Sequence, residues 1–261
     1  MNTDFPVFVI SLKSDTERRR KIASLFAEYG ISYQFWDATD YRSDEFNIRI
    51  RDIQPKQNSS YGEMTLPEKA CALSHLSIYQ HILDNNIDWA LVLEDDVTFD
   101  RRLADVLREL SSRQDCLKQH STYVLGGQQG TSEYQLFGLS LRHTQVIGNV
   151  RFRRATYKKH KVTRACSYIV DRIYCQRALE LFESHGFFLV DDRKILFIHN
   201  VMKYLYFSDV VTHPLVNINN SHLEKSRCDI RKNNDDKKVS KFKKSLRLWR
   251  YKLRVMLGSF E

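Results

Sequence analysis

The sequence predicts an α/β fold built on a mostly parallel central sheet, and three observations predict it. Ala90-Leu91-Val92-Leu93 is an apolar run without alternation, which reads as a strand buried on both faces. The amino end carries a strand–helix–strand pattern within about 30 residues, the spacing of a parallel βαβ unit. Glu94, Asp95 and Asp96 follow the apolar run directly, at the strand end where ligands of such sheets bind.

A chain of 261 residues is long enough for one large domain with a sizeable core. A hydrophobic content of 42% and an aromatic content of 12% exclude a disordered chain. Met1 to Pro6 show neither a basic nor a long apolar stretch, so no signal peptide is expected, and no run reaches the length of a membrane span. The five cysteines are scattered without a CxxC pair, as expected of reduced thiols in a cytosolic protein. The net charge of +9 is carried wholly by residues 225–261, which hold 13 Lys and Arg against 4 Asp and Glu.

Val7-Phe8-Val9-Ile10 is the first predicted strand. Ser14 and Glu17 have capping-box spacing before a helix whose Ile22, Leu25, Phe26 and Tyr29 share a face, and Gly30 ends it. Tyr33 to Asp37 form the second strand. No G-x-G-x-x-G accompanies this unit, so a dinucleotide fold is unsupported. The basic run Arg18 to Lys21 fits phosphate contacts, although a solvated face is the commoner use of such a run. Residues 40–64 are polar and read as a long loop or flap.

Thr65 and Glu68 form a second capping box with Pro67 in the first turn, opening a largely buried helix to about Leu83. Cys71 and His75 lie four apart on it, but no second pair of soft ligands has suitable spacing, which argues against zinc. The helix delivers Lys69 and His75 beside the acidic strand. Asp96 and Asp100 are candidate caps for a helix near Leu103–Leu110, which leaves the acidic cluster open to two readings, a helix start or a site for a hard divalent cation. Tyr123-Val124-Leu125 is a further strand, ending in Gly126-Gly127, which suit either close ligand approach or a turn. Residues 141–164 are rich in Arg and Lys without clear period and predict a mobile insertion.

Ser167 to Val170 form another strand, followed by a helix over Asp171–His185. Phe187 to Val190 run into Asp191-Asp192, where a carboxylate serves as helix cap or general base. A further helix carries Ile195, Ile198, Met202 and Leu205, and Val210 to Leu215 form the last strand-like segment. Residues 1–224 thus make one domain and residues 225–261 a basic tail. In the tail, Val239, Phe242, Leu246, Trp249, Leu253 and Met256 alternate steps of three and four, which predicts a basic amphipathic helix. Docking on the domain is one reading of that stripe. Binding to an anionic membrane surface is preferred, and a nucleic-acid partner is not expected because no nucleic-acid motif accompanies the charge.

Several segments together resemble glycosyltransferase family 25, the bacterial lipooligosaccharide transferases that include β-1,4-galactosyltransferases. They are Val9-Ile10-Ser11-Leu12 with Glu17-Arg18-Arg19, Phe35-Trp36-Asp37-Ala38, Glu68 to His75, Leu93 to Val97, Tyr168-Ile169-Val170 and Val190-Asp191. They occur in family order over roughly residues 7–215. Where many members carry glycine and threonine before the Tyr168 strand, this chain has Arg164-Ala165-Cys166.

The resemblance implies a GT-A fold, a UDP-sugar donor, and Mn²⁺ or Mg²⁺ held by the DxD-like Glu94-Asp95-Asp96. It places metal ligation on Asp96 with Glu94 or Asp95 assisting, and His213 as a further ligand or a structural strand-end histidine. Ser11, Leu12 and Asp37 are the expected nucleoside-binding positions, with Arg18 and Lys69 toward phosphate and His75 lining the site. Asp191 is the expected base of an inverting transfer and Asp192 the fallback. The expected activity is transfer of a hexose, galactose first, to a sugar hydroxyl of lipid-linked oligosaccharide, with the protein peripheral on the cytoplasmic face of the inner membrane. Glucose or N-acetylhexosamine transfer, or sugar-nucleotide binding without turnover, are the alternatives.

Overall fold

The structure, a computed structural model, describes residues 4–53, 64–131 and 137–214. In chain order it contains β1 (Val7–Ser11), α1 (Thr16–Tyr29), β2 (Gln34–Asp37), α2 (Asp44–Asp52), α3 (Leu66–Asp84), β3 (Trp89–Glu94) and β4 (Thr98–Phe99). Then follow α4 (Arg101–Leu110), β5 (Ser121–Gly126), β6 (Gly138–Ile147), β7 (Val150–Tyr157), β8 (Ser167–Asp171), α5 (Arg172–His185), α6 (Arg193–Ile198) and β9 (Tyr204–Thr212). The predicted tail helix lies outside the described residues, as does Leu215.

The strands form one sheet in the order β2-β1-β3-β8-β5-β9-β7-β6, with β4 paired to β9. β1 pairs parallel to β2 and β3, and β5 pairs parallel to β9. β8 sits between β3 and β5, antiparallel to both, so β2, β1, β3, β5 and β9 all run the same way. The expected parallel character therefore holds for these strands, while β8, β7 and β4 run the other way and make the sheet mixed. The carboxyl ends of β1, β2, β3, β5 and β9 and the amino end of β8 lie along one edge of the sheet, with the β6–β7 turn and the start of β4 on the same edge.

Burial follows from the apolar runs. Val7 and Val9 of β1 and Leu91 and Leu93 of β3 face one core, with Ile22 and Phe26 of α1 and Leu103 and Leu107 of α4. Phe8, Ile10, Ala90 and Val92 face the opposite core, with Leu76, Ile78 and Ile82 of α3 and Ala178 of α5. Alternate side chains of the same strand thus enter two cores. Each fully buried aliphatic side chain contributes roughly 1.5–3 kcal/mol, which is why these central strands show no polar alternation.

The capping signals divide. Thr65 and Glu68 form the full reciprocal capping box of α3, and Gly30 ends α1 in the left-handed conformation. At α1 the expected Ser14 box is absent: Asp15 is the cap position and no side chain caps it. The expected loop at 40–64 contains α2, started by Ser43, which accepts from the Phe46 amide. Its amphipathic pattern was hidden by alternating charges.

Residues 141–164 are also different from the expectation. They contain β6 and β7, an antiparallel hairpin closed through Gly148 and Asn149, both at positive φ. This is the turn chemistry of a tight hairpin, and Val150 and Phe152 are buried between exposed or half-buried arginines. The helix expected to reach Leu205 stops at Ile198. Asn200 has positive φ, Met202 lies in the connection and Leu205 is already in β9.

Candidate active site

The acidic cluster lies where β1 and β3 end side by side. Ile10 pairs with Glu94 in register, so Ser11 stands next to the acidic run. Asp95 turns inward, only 8% exposed, and accepts a 2.6 Å hydrogen bond from Ser11 Oγ and a 3.1 Å one from Arg18 Nη1. Burial raises its pKa against these two lowering influences. Arg18 also reaches Asp96 Oδ2 at 3.7 Å. Its guanidinium is therefore held by the carboxylates, although the sequence suggested a phosphate role.

Asp96 and Glu94 meet a histidine from the far strand. His213, just beyond β9, places Nε2 3.3 Å from Asp96 Oδ1. Its Nδ1 lies 2.7 Å from the Pro214 carbonyl, which only accepts, so Nδ1 carries the proton and Nε2 faces the carboxylates. Burial lowers the His213 pKa, but Asp96 and Glu94 outweigh it and the net shift is upward. Burial likewise raises Asp96, while His213 and Arg18 outweigh it and the net shift is downward.

Ligand atoms of Glu94, Asp96 and His213 lie within 4.8 Å of one another. Asp96 Oδ1 is buried and accepts no aligned hydrogen bond. A buried carboxylate oxygen without an aligned hydrogen bond, beside a second carboxylate and an imidazole oriented through its other nitrogen, fits a divalent cation such as Mn²⁺ or Mg²⁺.

The remaining expected residues are distributed along the same edge. Arg19 Nη2 donates to Asp37 at 2.5 Å and to the Ser11 carbonyl at 2.8 Å, while its guanidinium stacks 4.8 Å over Phe35. The Leu12 carbonyl accepts from the Asp15 amide in the turn before α1. Lys69 extends over the Phe187 ring at 5.6 Å, packed against an aromatic rather than the acids. His75 is fully buried, with Nδ1 2.6 Å from the Tyr168 hydroxyl and Nε2 3.9 Å from Glu94 Oε1.

Asp191 and Asp192 separate in role. Asp192 accepts from the Lys194 and Ile195 amides and caps α6, as one sequence reading allowed. Asp191, in the turn before it, accepts from the Arg164 amide at 3.2 Å. Arg164 has φ +61°, and its Nη1 donates to the Gly127 and Gln129 carbonyls at 2.6 and 3.2 Å. Two residues on, the Cys166 carbonyl accepts from the Glu94 amide at 2.9 Å. The 164–166 segment therefore connects Asp191 to the acidic strand end.

Arg193 completes that connection. It is fully buried, donates to the Arg164 carbonyl at 3.2 Å and lies 5.9 Å from the Tyr168 ring centre. Sequence reasoning named Arg19 only within the basic run considered for phosphate contacts, and did not single out Arg193. Arg164 was visible only as a departure from the family pattern.

Fold and site together define an α/β protein with a carboxylate–imidazole centre at the carboxyl edge of its sheet. The chain belongs to glycosyltransferase family 25 (LPS biosynthesis protein), whose model matches residues 4–193. It is 36% identical to a glycosyltransferase 25 family member of Aedes aegypti, over 39% of this chain and 18% of that one. It is 32% identical to the lacto-N-neotetraose biosynthesis glycosyltransferase LgtE of Neisseria meningitidis, over 45% of this chain and 41% of the relative. The lipooligosaccharide biosynthesis protein lic2B of Haemophilus influenzae is 30% identical over 45% and 43%. In each case the match spans less than half of the relative's length. Among solved structures, a glycosyltransferase involved in glycosylation of the major capsid of PBCV-1 aligns over 87% of this chain and 98% of that one, at 9% identity and a TM-score of 0.43.

Proposed function

We propose that this chain is an inverting, metal-dependent glycosyltransferase that moves a hexose, galactose first, from a UDP-sugar to a sugar hydroxyl of lipooligosaccharide. The observation that carries this reading is the trio Glu94, Asp96 and His213 at the ends of parallel strands, whose buried Asp96 Oδ1 accepts no aligned hydrogen bond. Family membership supports sugar transfer, and the relatives named for lacto-N-neotetraose and lipooligosaccharide biosynthesis support a saccharide acceptor.

In this reading Asp96, Glu94 and His213 hold Mn²⁺ or Mg²⁺, which supplies Lewis-acid compensation of the charge that builds on a departing diphosphate. Asp95 holds Arg18 in place, and Arg18 adds a fixed positive charge beside the same group. Ser11, Leu12 and Asp37 at the ends of β1 and β2 receive the nucleoside. Asp191 takes the proton of the acceptor hydroxyl as that oxygen attacks the anomeric carbon from the face opposite the leaving diphosphate. The basic tail then supplies attachment to the anionic cytoplasmic face of the inner membrane, where a lipid-linked acceptor resides.

Asp191→Asn tests the assignment of the base. The expected outcome is a loss of turnover of about 10²–10⁴-fold, the range for removal of a general base, with UDP binding by calorimetry nearly unchanged. Unchanged turnover removes Asp191 from the mechanism, and loss of UDP binding together with turnover assigns it a structural role instead.

A further inference from the structure

The sequence argued against zinc at Cys71 and His75 because no second pair of soft ligands has matching spacing. The fold supplies a third ligand from a different element. Cys71 and His75 lie one turn apart on α3, and α3 packs so that both face the end of β3. Ligand atoms of Cys71, His75 and Glu94 lie within 4.8 Å of one another. We propose that these three residues form a second cation site, for a soft or borderline divalent ion of the zinc class, that shares Glu94 with the Glu94, Asp96 and His213 trio.

The independent observation is at His75. The residue is 0% exposed, and its Nε2 is buried without a hydrogen-bond partner. At 3.9 Å from Glu94 Oε1 it is too far for a hydrogen bond and suitably placed for an ion between them. The other ring nitrogen lies 2.6 Å from the Tyr168 hydroxyl, which in turn lies 2.7 Å from the Tyr79 hydroxyl. A histidine that donates Nδ1–H to a buried oxygen presents the Nε2 lone pair in a fixed direction, the usual arrangement for a metal-binding imidazole. Two bonds of about 2.1 Å at the tetrahedral angle place their ligand atoms about 3.4 Å apart, so rotation of the half-exposed Glu94 carboxylate by about half an ångström closes the site.

Ligand chemistry sets the ion. A sulfur ligand beside imidazole selects zinc-class ions over Mg²⁺ or Mn²⁺, which favour oxygen. Binding converts the Cys71 thiol to thiolate, its proton passing to solvent, and three protein ligands leave one position for water. Because Glu94 serves both clusters, an ion at Cys71 and His75 draws that carboxylate away from Asp96 and His213. Zinc-class ions therefore oppose the hard cation.

Co²⁺ titration of the chelator-treated full-length chain tests the site directly. The proposal expects a thiolate-to-cobalt charge-transfer band in the near ultraviolet, saturating at one ion per chain and displaced by Zn²⁺. The band is lost in Cys71→Ser and kept in Cys116→Ser. Tyr168→Phe, which removes the hydroxyl that orients His75, weakens Zn²⁺ affinity by about 10- to 100-fold. A saturated spectrum without the thiolate band in the unmodified protein, or the same band in Cys71→Ser, overturns the proposal. A second arm adds Zn²⁺ to Mn²⁺-supported donor turnover and expects inhibition at a lower Zn²⁺ concentration in the unmodified protein than in Cys71→Ser, where only direct displacement at Asp96 and His213 remains. That arm rests on Glu94 serving the hard cation, whereas the spectrum does not, so failure of the proposed function and failure of the second site are distinguished.

Discussion

Arg164 holds the backbone that presents Asp191, in a left-handed conformation costly for a residue with a Cβ. Arg164→Ala loses the side-chain ties to Gly127 and Gln129 yet keeps the backbone cost. Turnover is expected to fall by about 100-fold, the scale of a displaced reacting group, while donor affinity stays within a factor of a few. Arg164→Gly removes the same ties and relieves the backbone, so it retains more turnover and a higher melting temperature than the alanine variant. Equal losses in both variants contradict a role for the left-handed backbone. At this scale the acids were legible because they end an apolar run, whereas Ser11 and His213 entered through the family resemblance. The tie of Arg19 to Asp37 and Ser11 and the roles of Arg164 and Arg193 were not legible, because an arginine in a charged stretch reads as solvated. Nothing in the pattern marks a fully buried guanidinium such as Arg193.

At the level of elements, His213 reaches the acids because β9 pairs with β5, and that pairing depends on Gly126. A Cβ at Gly126 would lie 2.0 Å from the Val211 carbonyl oxygen, two residues before His213, and its φ of +142° disfavours any side chain. Gly126→Ala is expected to cost about 1–3 kcal/mol, seen as a lower denaturation midpoint, and to weaken Mn²⁺ binding because β9 shifts. Unchanged stability contradicts the close approach. The helices with strong caps were legible from sequence, α3 above all, with its capping box and an apolar surface over most of its circumference. The β6–β7 hairpin was not, because Arg151, Arg153 and Arg154 conceal the buried Val150 and Phe152. The length of α6 was equally obscure, since Met202 and Leu205 continue its spacing by coincidence while belonging to the connection and to β9.

The molecule as a whole sets the carboxyl ends of its parallel strands along one edge, and the reversed β8 is what brings Cys166 and Arg164 to it. The parallel direction of β1 and β2 was readable from the βαβ spacing, and that of β3 from its unalternating apolar run. The direction of β8 was not, because its own apolar run reads the same although it lies antiparallel to both neighbours. No helix among the described residues is long and apolar enough to cross a membrane. Membrane attachment therefore tests the tail separately from the site: deleting residues 225–261 is expected to abolish flotation with vesicles rich in anionic lipid while donor turnover in solution persists. Flotation that survives the deletion places the attachment elsewhere.

The central claim is that the carboxylate–imidazole edge uses a divalent cation to release UDP from a sugar donor. Its most direct test is UDP release from UDP-Gal, UDP-Glc and UDP-GlcNAc, with a lipooligosaccharide acceptor and without one, in Mn²⁺ and in EDTA, for the unmodified chain and Asp96→Ala. The account predicts release from one donor in Mn²⁺, abolished by EDTA and by Asp96→Ala. Release that continues in EDTA and in the variant, or no release from any donor with acceptor present, contradicts it.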